Sequence, residues 1–229
     1  MSNISRRIDI PFTLVRSGAA TSSGAALELS DGEAIISAIE QKHDITYNAD
    51  KMHLFRISDE TVDSWGTVFQ IGGWDLSRRS ARPFVTYQHP MADDSDHTVI
   101  IGTGYEVIHG EALYSLFVPD LAQRDDGQYY NDVAVAVHHK IKTRQLTDAS
   151  IWAEVIDGKP GYEIEGADDE VYYFTETRLI SYGIVMMGAN VTATLQQLRA
   201  VSTTFTNSNN TKLHRQTAKR GLIKLKSIK

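Results

Sequence analysis

From Met52 to Val118 the apolar residues come in short runs separated by turn-forming residues, and this spacing constrains the fold more than any other feature. The runs are His53-Leu54-Phe55-Arg56-Ile57, Val68-Phe69-Gln70-Ile71, Phe84-Val85-Thr86-Tyr87, Thr98-Val99-Ile100-Ile101 and Leu113-Tyr114-Ser115-Leu116-Phe117-Val118. Each is too short to build a helix face but fits a β-strand rich in branched and aromatic residues. Two more strand regions are expected at Ser150–Ile156 and Val171–Val185, divided by the turn-rich Asp157-Gly158-Lys159-Pro160-Gly161 and the acidic stretch Glu163–Glu170. Helices are expected only at the periphery. Ser30-Asp31-Gly32-Glu33 has capping-box spacing ahead of Ile35, Ile36 and Ile39, in a helix that runs to His43. Asn131 or Asp132 can cap a second helix reaching Arg144, and Asn190 a third over Val191–Arg199. The pattern is that of a mainly β (α+β) chain with an antiparallel core.

Residues 1–50 read as an arm with a short helix, 51–200 as the core, and 201–229 as a linker with a basic tail. No apolar run is long enough to span a membrane, and the first residues lack the apolar stretch of a secretory signal. With no cysteine, thiolate zinc sites and cysteine nucleophiles are excluded, and a reducing cytoplasm is compatible. The net charge of −6 conceals an asymmetry: residues 212–229 hold seven cations and no acid, which leaves residues 1–211 at −13. A basic tail on an acidic body suits contact with its own body or an acidic partner. No glycine-rich phosphate loop is present, so nucleotide chemistry has no support.

Two residues stand out for chemistry. His89, in Gln88-His89-Pro90, follows an apolar strand, and Ser150 comes sixty-one residues later in Leu146-Thr147-Asp148-Ala149-Ser150-Ile151-Trp152. A histidine is a usable base near neutral pH, and a serine becomes nucleophilic beside one. On a strand starting at Ser150, Trp152 and Glu154 share its outer face while Ile151, Ala153 and Val155 turn toward the core. By itself, a serine at a strand start is far more often structural than catalytic. Asp93-Asp94-Ser95-Asp96-His97 lacks the glycine and closing glutamate of a calcium loop and reads as an exposed acidic loop. His138 and His139 are adjacent on a helix and read as its solvated edge, while Tyr172-Tyr173-Phe174 reads as core and strand surface.

The order of segments over about residues 51–200 resembles the prohead (capsid maturation) proteases of tailed bacteriophages, relatives in fold of the herpesvirus assemblins. Four pieces carry the resemblance. Val62-Asp63-Ser64-Trp65-Gly66 with Ile71-Gly72-Gly73-Trp74-Asp75 is similar to the family's opening motif, and Tyr87-Gln88-His89-Pro90 with Ile101-Gly102 to its histidine segment. Leu146–Trp152 is similar to the segment holding the nucleophilic serine, and Leu179–Asn190 to the closing motif. The resemblance implies an assemblin-like antiparallel β-barrel and a serine endopeptidase that processes scaffold and major capsid protein inside the assembling head, in the cytoplasm of an infected bacterium. It implies Ser150 as nucleophile and His89 as general base, with no cofactor and no metal. Self-cleavage and self-association are both open under it, a membrane is not involved, and nucleic acid enters only through the basic tail.

The chain departs from the family at the third catalytic position. The glutamate of the closing motif falls on Ser181, which brings no charge. Three answers stay open: Ser181 fills the place, a carboxylate such as Glu176 or Glu154 substitutes, or the enzyme is weak. Glu176 lies five residues away and needs a bulge to face the same side. Gly183 and the backbone around Trp152 are the oxyanion candidates. The rival readings are a capsid-associated structural protein that is catalytically weak or inactive, and a β-barrel binding module whose basic tail contacts nucleic acid.

Overall fold

The computed structural model of the protein describes residues 29–89 and 99–196. Helix α1 (Leu29–His43) leads to β1 (His53–Asp59), β2 (Thr67–Phe69), a 3-10 turn at Ile71–Gly73, β3 (Trp74–Asp75), the short helix α2 (Ser77–Ala81) and β4 (Phe84–Tyr87). Then come β5 (Ile100–His109), β6 (Ala112–Pro119), α3 (Asp132–Lys142), β7 (Asp148–Pro160), a 3-10 turn at Gly161–Glu163 and β8 (Tyr172–Val185). The strands form one sheet in the order β1-β6-β5-β4-β8-β2, with β3 and β7 also paired to β8.

Strand β8 is the spine of the sheet. Along one edge it takes β2, β3 and β4 end to end, all parallel, with Thr67 opposite Tyr172, Trp74 opposite Thr177 and Val85 opposite Tyr182. Along its other edge β7 runs antiparallel, from Asp148 opposite Val185 to Pro160 opposite Tyr172. The sheet is therefore mixed, which corrects the antiparallel core expected from the sequence. Its cause lies in the connections: between β2 and β4 the chain advances through a 3-10 turn and α2 without a hairpin reversal, so the three short strands keep one direction.

The sheet curls into a half-barrel, and the segment 192–196 joins its two end strands. On the β1 side Arg56 N–H donates to Thr194 O at 3.0 Å and Gln196 N–H to Leu54 O at 2.8 Å. On the β7 side Ala149 N–H donates to Ala193 O at 2.8 Å and Leu195 N–H to Thr147 O at 2.7 Å. A helix was expected over 191–199; in the described part of it, residues 191 and 192 form a turn and 193–196 run extended instead. β-Branched Val191, Thr192 and Thr194 are poor helix formers, and two strands take up the backbone that a helix would need. Asn190 caps a turn, accepting Thr192 N–H at 2.8 Å.

Two other expectations change. β7 continues through Asp157–Pro160, which the sequence marks as a turn; register slips after Trp152, Val155 and Asp157 absorb those residues as bulges. β5 runs on to His109, well past the apolar run ending at Ile101. Helix α1 already begins at Leu29, so the Ser30 capping box falls inside its first turn.

Burial follows the apolar pattern. Ile35, Ile36 and Ile39 of α1 pack with Leu54, Tyr114 and Leu116, so β6 is covered on its outer face as well. Inside the curl, Phe55, Ile57, Val85, Leu113, Phe117, Leu179, Tyr182 and Ile184 pack against Ala134, Val137 and Ile141 of α3. Asn131 caps α3 as its sequence suggests, accepting Ala134 N–H at 3.0 Å. A buried ion pair anchors the start of β4: Arg79 Nη2 donates to Glu106 Oε1 at 2.7 Å, and Arg79 Nη1 to Phe84 O at 2.7 Å. Burial pushes the Glu106 carboxyl up, and the Arg79 charge opposes that shift.

Candidate active site

Ser150 is the third residue of β7. Ala149 before it is fully buried and Ile151 after it packs on the core, while Ser150 is only half-buried, as alternation along a strand requires. Opposite Ser150 on β8 stands Gly183, which also pairs with Thr86 of β4. Paired residues share a face of the sheet, so the space that Gly183 leaves empty lies beside Ser150. A Cβ at Gly183 would stand 2.6 Å from Gln88 O and 3.3 Å from Thr86 Oγ1.

That gap lets the chain leaving β4 fold over the sheet. Gln88 takes φ +63°, its N–H donates to Ile184 O at 3.0 Å, and its carbonyl accepts Thr86 Oγ1 at 2.6 Å. His89 is the next residue. A turn over a glycine therefore brings the histidine to the side of β8 that carries Ser150.

His89 and Ser150 line one cleft of about 400 Å³. Its walls are mostly apolar, with Ile57, Phe69, Phe174 and Ala193 among them and Trp65 toward the outside. Phe69 and Phe174 form a tilted ring pair with centroids 4.8 Å apart. The loop carrying Trp65 is tied to the loop after β8 by Ser64 N–H donating to Ala189 O at 3.0 Å. Desolvation lowers the His89 pKa below its ordinary value, which favours the neutral, proton-accepting form of the ring. No hydrogen bond among the described residues joins the ring to Ser150 Oγ. Such bonds are often long in unliganded sites and tighten around substrate.

Ser181 and Glu176 sit elsewhere. Ser181 is fully buried, its hydroxyl donates to Phe84 O at 3.1 Å, and it does not line the cleft. Glu176 pairs with Asp157, seven residues along β8 from Gly183, which is roughly 23 Å at the extended rise. A bulge is present near Asp157, but it cannot span that distance. Glu154 is bound to Arg178 Nη1 at 3.0 Å. The carboxylate that does line the cleft is Asp63. Its Oδ1 accepts Trp65 N–H and Thr67 N–H, each at 2.9 Å, and its Oδ2 accepts Thr67 Oγ1 at 2.8 Å. The sequence placed Asp63 in a family-like run but gave no sign that this loop walls the serine's cleft.

The oxyanion candidates also shift. Ala149 N–H points away from β8 to Ala193 O. Alternation then sends Ser150 N–H toward Gly183 and Ile151 N–H outward again, past the last bond to segment 192–196. Ile151 lines the cleft, and no backbone partner for its N–H is found among the described residues. Within the backbone around Trp152, Ile151 is the candidate that this geometry favours, since the Gly183 and Trp152 N–H groups belong to the β7–β8 ladder.

His138 is not a solvated helix edge: its Nδ1 lies 2.9 Å from His53 Nε2, joining α3 to β1. Phe174 is a cleft wall rather than plain core. The loop Asp93–His97, the N-terminal arm and the basic tail lie outside the described residues. Among the described residues, no helix is long and apolar enough to cross a membrane. Compared with protein families, characterised proteins and solved structures, the chain matches none of them.

Proposed function

We propose that the protein is a serine endopeptidase acting through an acyl-enzyme, of the kind that processes scaffold and major capsid protein inside an assembling phage head. One observation carries the reading: His89 and Ser150, from separate segments, line a single cleft, with Ser150 half-exposed. The order of the four family-like segments supports the same assignment. His89 takes the Ser150 proton as Oγ attacks the scissile carbonyl, then passes it to the leaving amine and activates water for deacylation. Ile151 N–H faces the side where the oxyanion forms, and losing such a donor typically costs about 10²–10³ in rate. Asp63 supplies negative charge within the cleft as the imidazolium develops; its three bonds hold it in place.

A second reading, a capsid-associated structural protein with weak or lost activity, is favoured by the engagement of Ser181 with Phe84 and the remoteness of Glu176. Co-expression with the cognate capsid protein separates the two. Under the protease reading, wild type processes the capsid protein and both Ser150→Ala and His89→Ala do not. Processing that persists in both variants ends that reading, and absence of processing by wild type favours the structural one. Mass analysis of the chain from the same cells reports whether it cuts itself. Association with itself is read from its mass in solution.

A further inference from the structure

The lining of the cleft leaves very few polar groups free. Asp63 has both oxygens occupied by its own loop, and Thr67 Oγ1 is spent on Asp63. Asn190 donates to Asp59 Oδ1 at 3.1 Å and accepts Thr192 N–H at 2.8 Å. Among the buried cleft-lining side chains described, the one with an unpartnered polar atom is Ser58. It is 1% exposed, and its hydroxyl has no hydrogen-bond partner. A buried hydroxyl without a partner is costly, and few are left so unless something else supplies the bond.

The cleft is lined by exposed His89 and half-buried Ser150 together with buried Ile57 and Ser58, and one wall is the contacting ring pair of Phe69 and Phe174. We infer that this is a specificity pocket for an aromatic side chain with a terminal hydroxyl, so that the substrate carries tyrosine at the residue whose carbonyl Ser150 attacks. The inference rests on the protease reading for the attack and on the pocket alone for the binding. The Phe69 and Phe174 rings take the faces or edges of the incoming ring. A χ1 step of Ser58 turns its hydroxyl into the cleft to meet the phenol. Lysine and arginine would have to desolvate their charge against mostly apolar walls, and an acidic side chain meets the Asp63 charge as well. Alanine leaves the volume unfilled.

The test has two arms, with Ser58→Ala in each. This change removes an unpartnered hydroxyl, and a thermal melt checks that the variant remains folded. In the first arm, N-acetyl p-nitrophenyl esters of tyrosine, phenylalanine, alanine and lysine are hydrolysed by wild type, Ser58→Ala and Ser150→Ala. The tyrosyl ester is expected to lead, and Ser58→Ala to lower its advantage over the phenylalanyl ester by roughly tenfold, the worth of one good hydrogen bond. In the second arm, ligand-detected NMR measures binding of N-acetyl-tyrosinamide and N-acetyl-phenylalaninamide to the same proteins. Wild type is expected to prefer the tyrosinamide and Ser58→Ala to lose that preference.

Ester turnover that depends on Ser150 but favours lysine or alanine, or an unchanged tyrosine-to-phenylalanine ratio in Ser58→Ala, overturns the pocket and leaves the protease standing. No ester turnover, with a Ser58-dependent preference for tyrosinamide, overturns the protease and leaves the pocket. Equal binding of both amides to wild type overturns the pocket whatever the esters do.

Discussion

Gly183→Ala tests how the site is assembled. The added methyl would stand 2.6 Å from the Gln88 carbonyl oxygen, where ordinary contact begins at 3.4 Å, so that carbonyl must retreat by about 0.8 Å. It cannot swing freely, because Gln88 N–H is bound to Ile184 O at 3.0 Å and its carbonyl to Thr86 Oγ1 at 2.6 Å. Overpacking of this kind costs about 1–3 kcal/mol of stability. The displacement passes directly to His89, and a misplacement near 1 Å at a catalytic group can cost about 10²-fold in rate. Two measurements read these effects: the urea midpoint, and the rate at which a fluorophosphonate labels Ser150. Thr86→Val adds no volume at the turn but removes one of its two tethers, so a smaller loss of labelling with a nearly native midpoint is expected. If Gly183→Ala keeps both the wild-type midpoint and the wild-type labelling rate, the turn over Gly183 does not position the histidine.

Glu106→Leu should destabilise the fold by about 3–5 kcal/mol in denaturant, because it leaves the Arg79 charge buried without its partner. Arg79→Met combined with Glu106→Leu should cost much less, and equal costs would refute the pairing argument. His53 gives an acid-sensitive joint. Burial, then the charges of His138 and Lys142, push its pKa down from 6.5 to about 4, so the fold holds it neutral while the unfolded chain takes up a proton. Stability should therefore be complete above pH 6.5, fall as the pH drops toward 4 and level off below it, and His53→Leu should flatten that slope in urea titrations across pH. Ser181→Ala and Glu176→Gln should both label at the wild-type rate; Ser181→Ala alone should lose about 1 kcal/mol of stability with its bond to Phe84 O. A large loss of labelling in Ser181→Ala would place the third catalytic group where the resemblance put it, and one in Glu176→Gln would place it at the substitute carboxylate.

What the sequence determined by itself is local. The apolar run of β6, the isoleucine stripe of α1 and the Asn131 cap of α3 are legible because their physics acts within a few residues: alternation, helical period and one side-chain bond. The half-burial of Ser150 between buried Ala149 and core-packed Ile151 follows from the same alternation. Tertiary structure decided what depends on partners far along the chain. Strand direction in β2, β3 and β4 rests on a β8 register reached about a hundred residues later, and segment 193–196 is extended because β1 and β7 claim its backbone. The site divides in the same way. His89 and Ser150 were visible as residue types in a family-like order, but their shared cleft depends on a glycine of a third segment. Asp63 is bound within its own loop, but Ser58 and the committed hydroxyl of Ser181 carry no local signature. Their roles come from hydrogen bonds made or left unmade once distant strands are side by side, and a pattern read along one strand contains no term for them.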